Sequence, residues 1–170
     1  MVPRRALFTA LARSGQALRA LLPATLKGKL PASVTPPGER PAPRHARRLL
    51  MLEGCVQAAF SPNTNAAATR LLDRLGISVQ PIRQAGCCGA VDYHLNAQAQ
   101  GLQRARRNID AWWPAIEAGA EAIVQTASGC GAFVRDYGHL LAKDRQYAAK
   151  AARVSALARD VVEVPVSYTH

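Results

Sequence analysis

Two cysteines stand side by side at Cys87 and Cys88, inside the block Gly86-Cys87-Cys88-Gly89. Neighbouring thiols do not readily join each other, because the disulfide would close a small, strained ring. Each must find its partner elsewhere, and the chain offers only Cys55 and Cys130. The frame is C-x31-C-C-G-x40-C, and it holds every cysteine of the chain. The fold is therefore constrained to bring three distant stretches together around bulky sulfur atoms. The flanking glycines let backbone pass close to such a group. A metal cluster or a redox site is the first expectation.

A chain of 170 residues allows one ordinary domain with a tail to spare. Hydrophobic residues make up 49% but aromatics only 5%, so the core must be built on Ala, Leu, Val and Ile. The net charge of +11 is unevenly placed. Ten Lys or Arg against one acid, Glu39, lie in residues 1–50; the rest is nearly balanced. A basic arm suits an acidic partner subunit, an anionic membrane surface or simple solvation. Nucleic acid is not expected, since no aromatics interleave with the arm's basic residues and no zinc-finger or RNA-binding signature appears. No apolar run is long enough to span a bilayer. Met1 to Arg5 followed by an apolar stretch has the outline of a signal peptide, but Arg13 and Arg19 interrupt that stretch and no small-residue cleavage site follows. A cytoplasmic chain is expected, where thiols serve as ligands rather than structural disulfides.

Residues 4–22 place Leu7, Leu11, Leu18, Leu21 and Leu22 on one face, predicting an amphipathic helical arm. Pro31, Pro36, Pro37, Pro41 and Pro43 then form a linker that can neither continue a helix nor join a sheet. The expected division is a basic arm and linker over 1–45, a cysteine-rich domain over 46–164, and an unassigned tail over 165–170. Within the domain, strands are predicted at 48–53, 77–82 and 122–126. Helices are predicted at about 64–75, 92–118, 132–142 and 145–163. This alternation predicts an α/β fold, a parallel sheet flanked by helices. In such sheets ligands sit at the carboxyl ends of the strands. Cys55, Cys87, Cys88 and Cys130 all fall there, each in the segment after a predicted strand.

Thiolates bind iron in clusters or zinc. Adjacent cysteines point to opposite sides of an extended backbone, so they hold one small ion together only if the chain turns sharply. A larger cluster accepts the pair more readily than one zinc does. Buried, inert cysteines are the remaining reading.

The residues around these cysteines resemble a known family. Cys55, Gly86-Cys87-Cys88-Gly89 and Cys130 are similar to the cysteine-rich "CCG" domain. It occurs in heterodisulfide reductase, anaerobic glycerol-3-phosphate dehydrogenase, lactate-utilisation proteins and glycolate oxidase iron-sulfur subunits. The stretches Met51 to Gln57, Ala90 to Gln98, Asn108 to Pro114 and Thr126 to Phe133 resemble the last of these, and the likeness runs over about residues 4–164. It implies an iron-sulfur cluster, 4Fe-4S in type with zinc as the alternative, held by Cys55, Cys87, Cys88 and Cys130. It also implies a cytoplasmic electron-transfer role beside flavin-containing glycolate oxidase subunits, at the inner face of the membrane through the complex. The alternative is a non-catalytic docking module. The family's intact subunits carry ferredoxin-like Cys-x-x-Cys runs and two CCG domains. This sequence has one CCG domain and no such run, so a middle piece of such a subunit is expected. The fullest CCG form ends in Cys-x-x-Cys; here only Cys130 stands at that place.

Other residues carry lesser expectations. His94 is a candidate to tune a cluster or move a proton, with a surface His and an Asp92 helix cap as the plainer reading. Ser128 is an expected cap at the helix start around Cys130. Of Trp112 and Trp113, one should pack in the core. His139 is expected to be structural, and His45 and His170 draw no role.

Overall fold

The computed structural model describes residues 5–28, 30–31 and 33–166. The extreme start and residues 167–170 of the tail, with His170, lie outside the described residues. The arm forms α1 (Arg5–Ala17), a 3-10 turn (Arg19–Leu21) and a short α2 (Ala24–Lys27). The expected helix over 4–22 stops early. The α-helix gives way after Ala17 to the 3-10 turn, and before Pro23 Leu22 is extended at φ −80°, ψ 145°, as a residue preceding proline favours. The arm rests on the domain through Ala12, which is buried, and through Phe8, edge-on to Phe60 at 5.5 Å. Its leucines are left outward, Leu11 50% and Leu21 82% exposed.

No helix or strand forms among the described residues of 30–46, as the prolines require. The linker is pinned all the same. Arg70 donates to the carbonyls of Pro37 and Glu39, both at 3.0 Å. The backbone N–H groups of Arg44 and His45 donate to Ser78 Oγ at 2.8 and 2.7 Å. Their side chains both reach the Asp73 carboxylate. Arg44 first, and then His45, hold Asp73 below the usual carboxylate range. A depressed folded pKa stabilises above the unfolded value, about 4, and the contribution fades as pH falls through the folded one. Asp73→Asn should therefore melt below the parent at pH 7, and the difference should shrink as the pH falls below about 4.

The domain proper alternates. After β1 (Arg47–Met51) come α3 (Gln57–Phe60) and α4 (Pro62–Arg74), then β2 (Ile77–Gln80). Next come α5 (Ala90–His94), α6 (Gln98–Glu117) and β3 (Ala122–Gln125). The chain closes with α7 (Ser128–Arg135), α8 (Tyr137–Leu140), α9 (Ala148–Leu157), β4 (Ala158–Asp160) and α10 (Glu163–Val166). All strand pairings are parallel, in the order β2-β1-β3-β4. Leu50 and Ile123 pack with Ile109 and Trp112 of α6 and Val154 of α9 on one face. Leu49, Met51, Val79 and Val124 pack with Leu72 of α4 on the other. A sheet buried on both faces explains why residues 49–51 of β1 and 122–124 of β3 are apolar without alternation.

Two sequence expectations are corrected. The helix expected over 145–163 ends at Leu157, and Ala158–Asp160 is an edge strand. Ala-Arg-Asp has no apolar pattern; its strand form comes from pairing with β3, Ile123 to Ala158 and Gln125 to Asp160. The helix expected over 92–118 is broken into α5 and α6, with Asn96 left-handed at φ 64° between them, a conformation Asn tolerates. Pro114 lies inside α6 without ending it. Among the described residues no helix is long and apolar enough to cross a membrane.

Candidate metal centre

The order β2-β1-β3-β4 has a switch point between β1 and β3. From β1 the chain turns to α4 on one face; from β3 it turns to α7 and α9 on the other. Loops diverging in this way open a crevice at the strands' carboxyl ends. Cys55 follows β1, Cys87 and Cys88 follow β2, and Cys130 lies in the first turn of α7 after β3. The structure brings all four together there. Cys88 Sγ lies 3.4 Å from Cys130 Sγ. Cys87 interacts with both Cys55 and Cys88. All four are free thiols, and all but Cys130 are buried.

This chain of sulfur contacts alternates in charge preference. The interaction with Cys55 first, and then that with Cys88, hold Cys87 below the usual thiol range, with the Gly89 N–H and the Arg104 charge assisting against burial. The hydrogen bond from Cys88 lowers Cys130. Cys55 is raised by its bond to Cys87 and then by burial; Cys88 is raised by its bonds to Cys130 and Cys87. Among the described residues, no three His, Cys, Asp or Glu side chains are grouped to hold one metal ion. An all-sulfur, water-shielded donor set spread over four positions fits a multi-iron cluster.

Neighbouring side chains tie the contributing segments together. Thr126 donates to Asn65 Oδ1 at 2.5 Å and accepts from Gln57 Nε2 at 2.7 Å, while Asn65 donates to the Glu53 carbonyl at 3.2 Å. The segment before Cys55 is thus linked to the end of β3. Behind the cysteine pair, Asn108 and Tyr137 bond to the peptides of Gly86, Cys87 and Cys88. Sequence reasoning assigned neither residue a role. A signal was present: Asn108 is the polar member of the buried α6 stripe Gly101, Ala105, Asn108, Ile109 and Trp112.

The lesser expectations divide. His94 is exposed, its ring against those of Tyr93 and Phe133 at 5.9 and 5.8 Å. Asp92 caps nothing and pairs instead with Arg104. Ser128 is not a cap either, since Ala127 occupies that position. Trp112 is fully buried, while Trp113 lies under Lys150 Nζ at 5.0 Å. His139 is exposed, and His45, given no role, holds the linker to Asp73.

Among curated proteins, three relatives are similar to this chain. The chain is 65% identical over 164 residues to the glycolate oxidase iron-sulfur subunit of Escherichia coli (strain K12), covering 96% of this chain and 40% of that protein. It is 31% identical over 120 residues to a protein of Bacillus subtilis (strain 168) named "Probable glycolate oxidase iron-sulfur subunit", covering 71% of this chain and 26% of that one. It is 29% identical over 101 residues to lactate utilization protein A of Bacillus velezensis, covering 59% and 40%. The chain thus spans less than half the length of each. No solved structure matches it. The model of the cysteine-rich domain, CCG, matches residues 49–135, which take in all four cysteines, and the chain belongs to that cysteine-rich domain family.

Proposed function

We propose that this chain is the cluster-bearing part of an iron-sulfur electron-transfer subunit in a complex that oxidises glycolate or a similar 2-hydroxy acid. The observation that carries the reading is the meeting of four thiols from three separate strand ends at the sheet's switch point. The names of the Escherichia coli and Bacillus subtilis relatives supply the substrate. Cys55, Cys87, Cys88 and Cys130 would hold the cluster, 4Fe-4S in type. Bound there, it supplies reversible one-electron transfer. The protein's own part is to hold the thiolates, keep water off three of them and place the Arg104 charge near Cys87. Electrons would come from a flavin-containing subunit and leave to a downstream acceptor. The setting is cytoplasmic, at the inner face of the membrane through the complex. A lone structural zinc is the less favoured occupant, because adjacent cysteines share one small ion only if the chain turns sharply, while a larger cluster accepts the pair more readily.

Anaerobic purification with iron, sulfide and zinc analysis and an electron paramagnetic resonance spectrum tests this reading. Iron and sulfide together with a reducible signal are expected; zinc alone would overturn it.

Residues 46–164 are taken as the cluster domain and 1–45 as a docking arm. Its basic charge and outward leucines support a partner-facing role. Deleting residues 1–44 should weaken capture of the flavin subunit by about tenfold or more, equivalent to about 1.4 kcal/mol. Unchanged affinity in a binding titration would remove the arm's role.

A further inference from the structure

The cysteine pair is gripped from behind. Asn108 Nδ2 donates to the Cys87 carbonyl at 3.0 Å and to Tyr137 Oη at 3.2 Å, while its Oδ1 accepts the Gly86 N–H at 2.8 Å. Tyr137 in turn donates its hydroxyl proton to the Cys88 carbonyl at 2.5 Å. Both side chains are buried, at 1% and 0% exposure. The amide has one workable orientation: flipped, its NH2 would face the Gly86 N–H and its oxygen the Cys87 carbonyl. Three consecutive residues therefore have a backbone group fixed by two side chains from α6 and α8. Gly86 itself has open space where a Cβ would be, and its glycine backbone is conformationally free.

With both carbonyls held, each sulfur meets, besides the other, a neighbour of its own. Cys87 meets Cys55 from the β1 loop, and Cys88 meets Cys130 at the start of α7. We propose that Asn108 and Tyr137 are positioning residues that sort the adjacent thiols, committing Cys87 to the Cys55 side of the site and Cys88 to the Cys130 side. The use of that sorting, in presenting four ligands to a cluster, rests on the iron-sulfur reading; the sorting itself is a property of the chain.

The test compares the parent chain with Tyr137→Phe and Asn108→Ala. Tyr137→Phe keeps the buried ring and its edge contact with Phe133 at 5.8 Å, so it keeps the fold if Asn108→Ala does not. Each cluster-free chain is treated anaerobically with diamide. For each pair, two S–H bonds break and one S–S bond forms, and the diamide is reduced to its hydrazide by the two electrons and two protons. Peptide mapping then reads which cysteines have joined. The parent should give Cys55–Cys87 and Cys88–Cys130. In Tyr137→Phe the crossed pairs, Cys55–Cys88 and Cys87–Cys130, should rise about tenfold, as loss of one buried hydrogen bond allows. Iron and sulfide retained after anaerobic reconstitution should fall in parallel, at a near-parental melting temperature. Unchanged pairing in Tyr137→Phe overturns the proposal, whether or not iron is lost. Shifted pairing in a chain whose parent binds no iron leaves the sorting standing and removes the iron-sulfur reading instead.

Discussion

Cys88→Ser should abolish the bound iron and the dye-linked electron transfer of the reconstituted complex, while the melting temperature should stay within a few degrees of the parent. Cys88 touches both Cys87 and Cys130, so its loss divides the sulfur chain in the middle. Serine is only slightly smaller, and Cys88 is one member of a large buried cluster whose bulk is carried by residues such as Leu50, Ile109, Trp112 and Val154. Cys87→Ser should behave alike, since Cys87 bonds to both Cys55 and Cys88. Iron analysis, the paramagnetic spectrum and the thermal melt read the three effects separately. A structural zinc would give the opposite pattern, because metal-binding free energy is then folding free energy and the melt would drop steeply. Equal activity and equal melting in both variants would leave four inert core cysteines.

Gly89→Ala should be the most destabilising single methyl in the domain. Gly89 sits at φ +101°, where residues with a side chain are strained. A Cβ there would also lie 2.5 Å from the Gly101 carbonyl oxygen of α6, a backbone atom that cannot swing aside. Gly101 is confined as well, its own Cβ position lying 2.9 Å from Tyr93 Cβ and 3.0 Å from Gly89 O. The two glycines let α5 and α6 meet backbone to backbone directly after the cysteine pair. Strain and clash together should cost about 3–5 kcal/mol, lowering the melting temperature by about 10 °C or more. Differential scanning calorimetry of Gly89→Ala beside Gly86→Ala checks it. Gly86 has open space at its Cβ and no left-handed φ, so that variant should melt within a few degrees of the parent. A Gly89→Ala melt equal to the parent's would show that α5 shifts freely on α6.

Much of this was legible in the chain. The apolar runs at 48–53, 77–82 and 122–126, each separated by a helical pattern, require parallel strands with covered faces. The rule that ligands gather at the carboxyl ends of such strands brings Cys55, Cys87, Cys88 and Cys130 to one edge before any coordinate is known. These signals are local, carried by periodicity and by the residue after each strand. Local reasoning failed where the cause was distant. Ala158–Asp160 becomes a strand because β3 offers an open edge, which no pattern within those residues reveals. Asp92 looks like a cap from its place at a helix start, yet Arg104, twelve residues on, takes it. The contact order of the thiols, with Cys87 on Cys55 and Cys88 on Cys130, was likewise beyond the sequence. Adjacent side chains of one extended segment diverge whatever the fold. Which partner each meets depends on the rotation of one peptide, and that rotation is set by Asn108 and Tyr137 from helices 21 and 49 residues away. Residue order alone dictates the class of fold, the edge of the sheet and the chemistry of the donors. The pairing of those donors emerges only in the folded chain, because hydrogen bonds between remote buried groups leave no periodic trace along it.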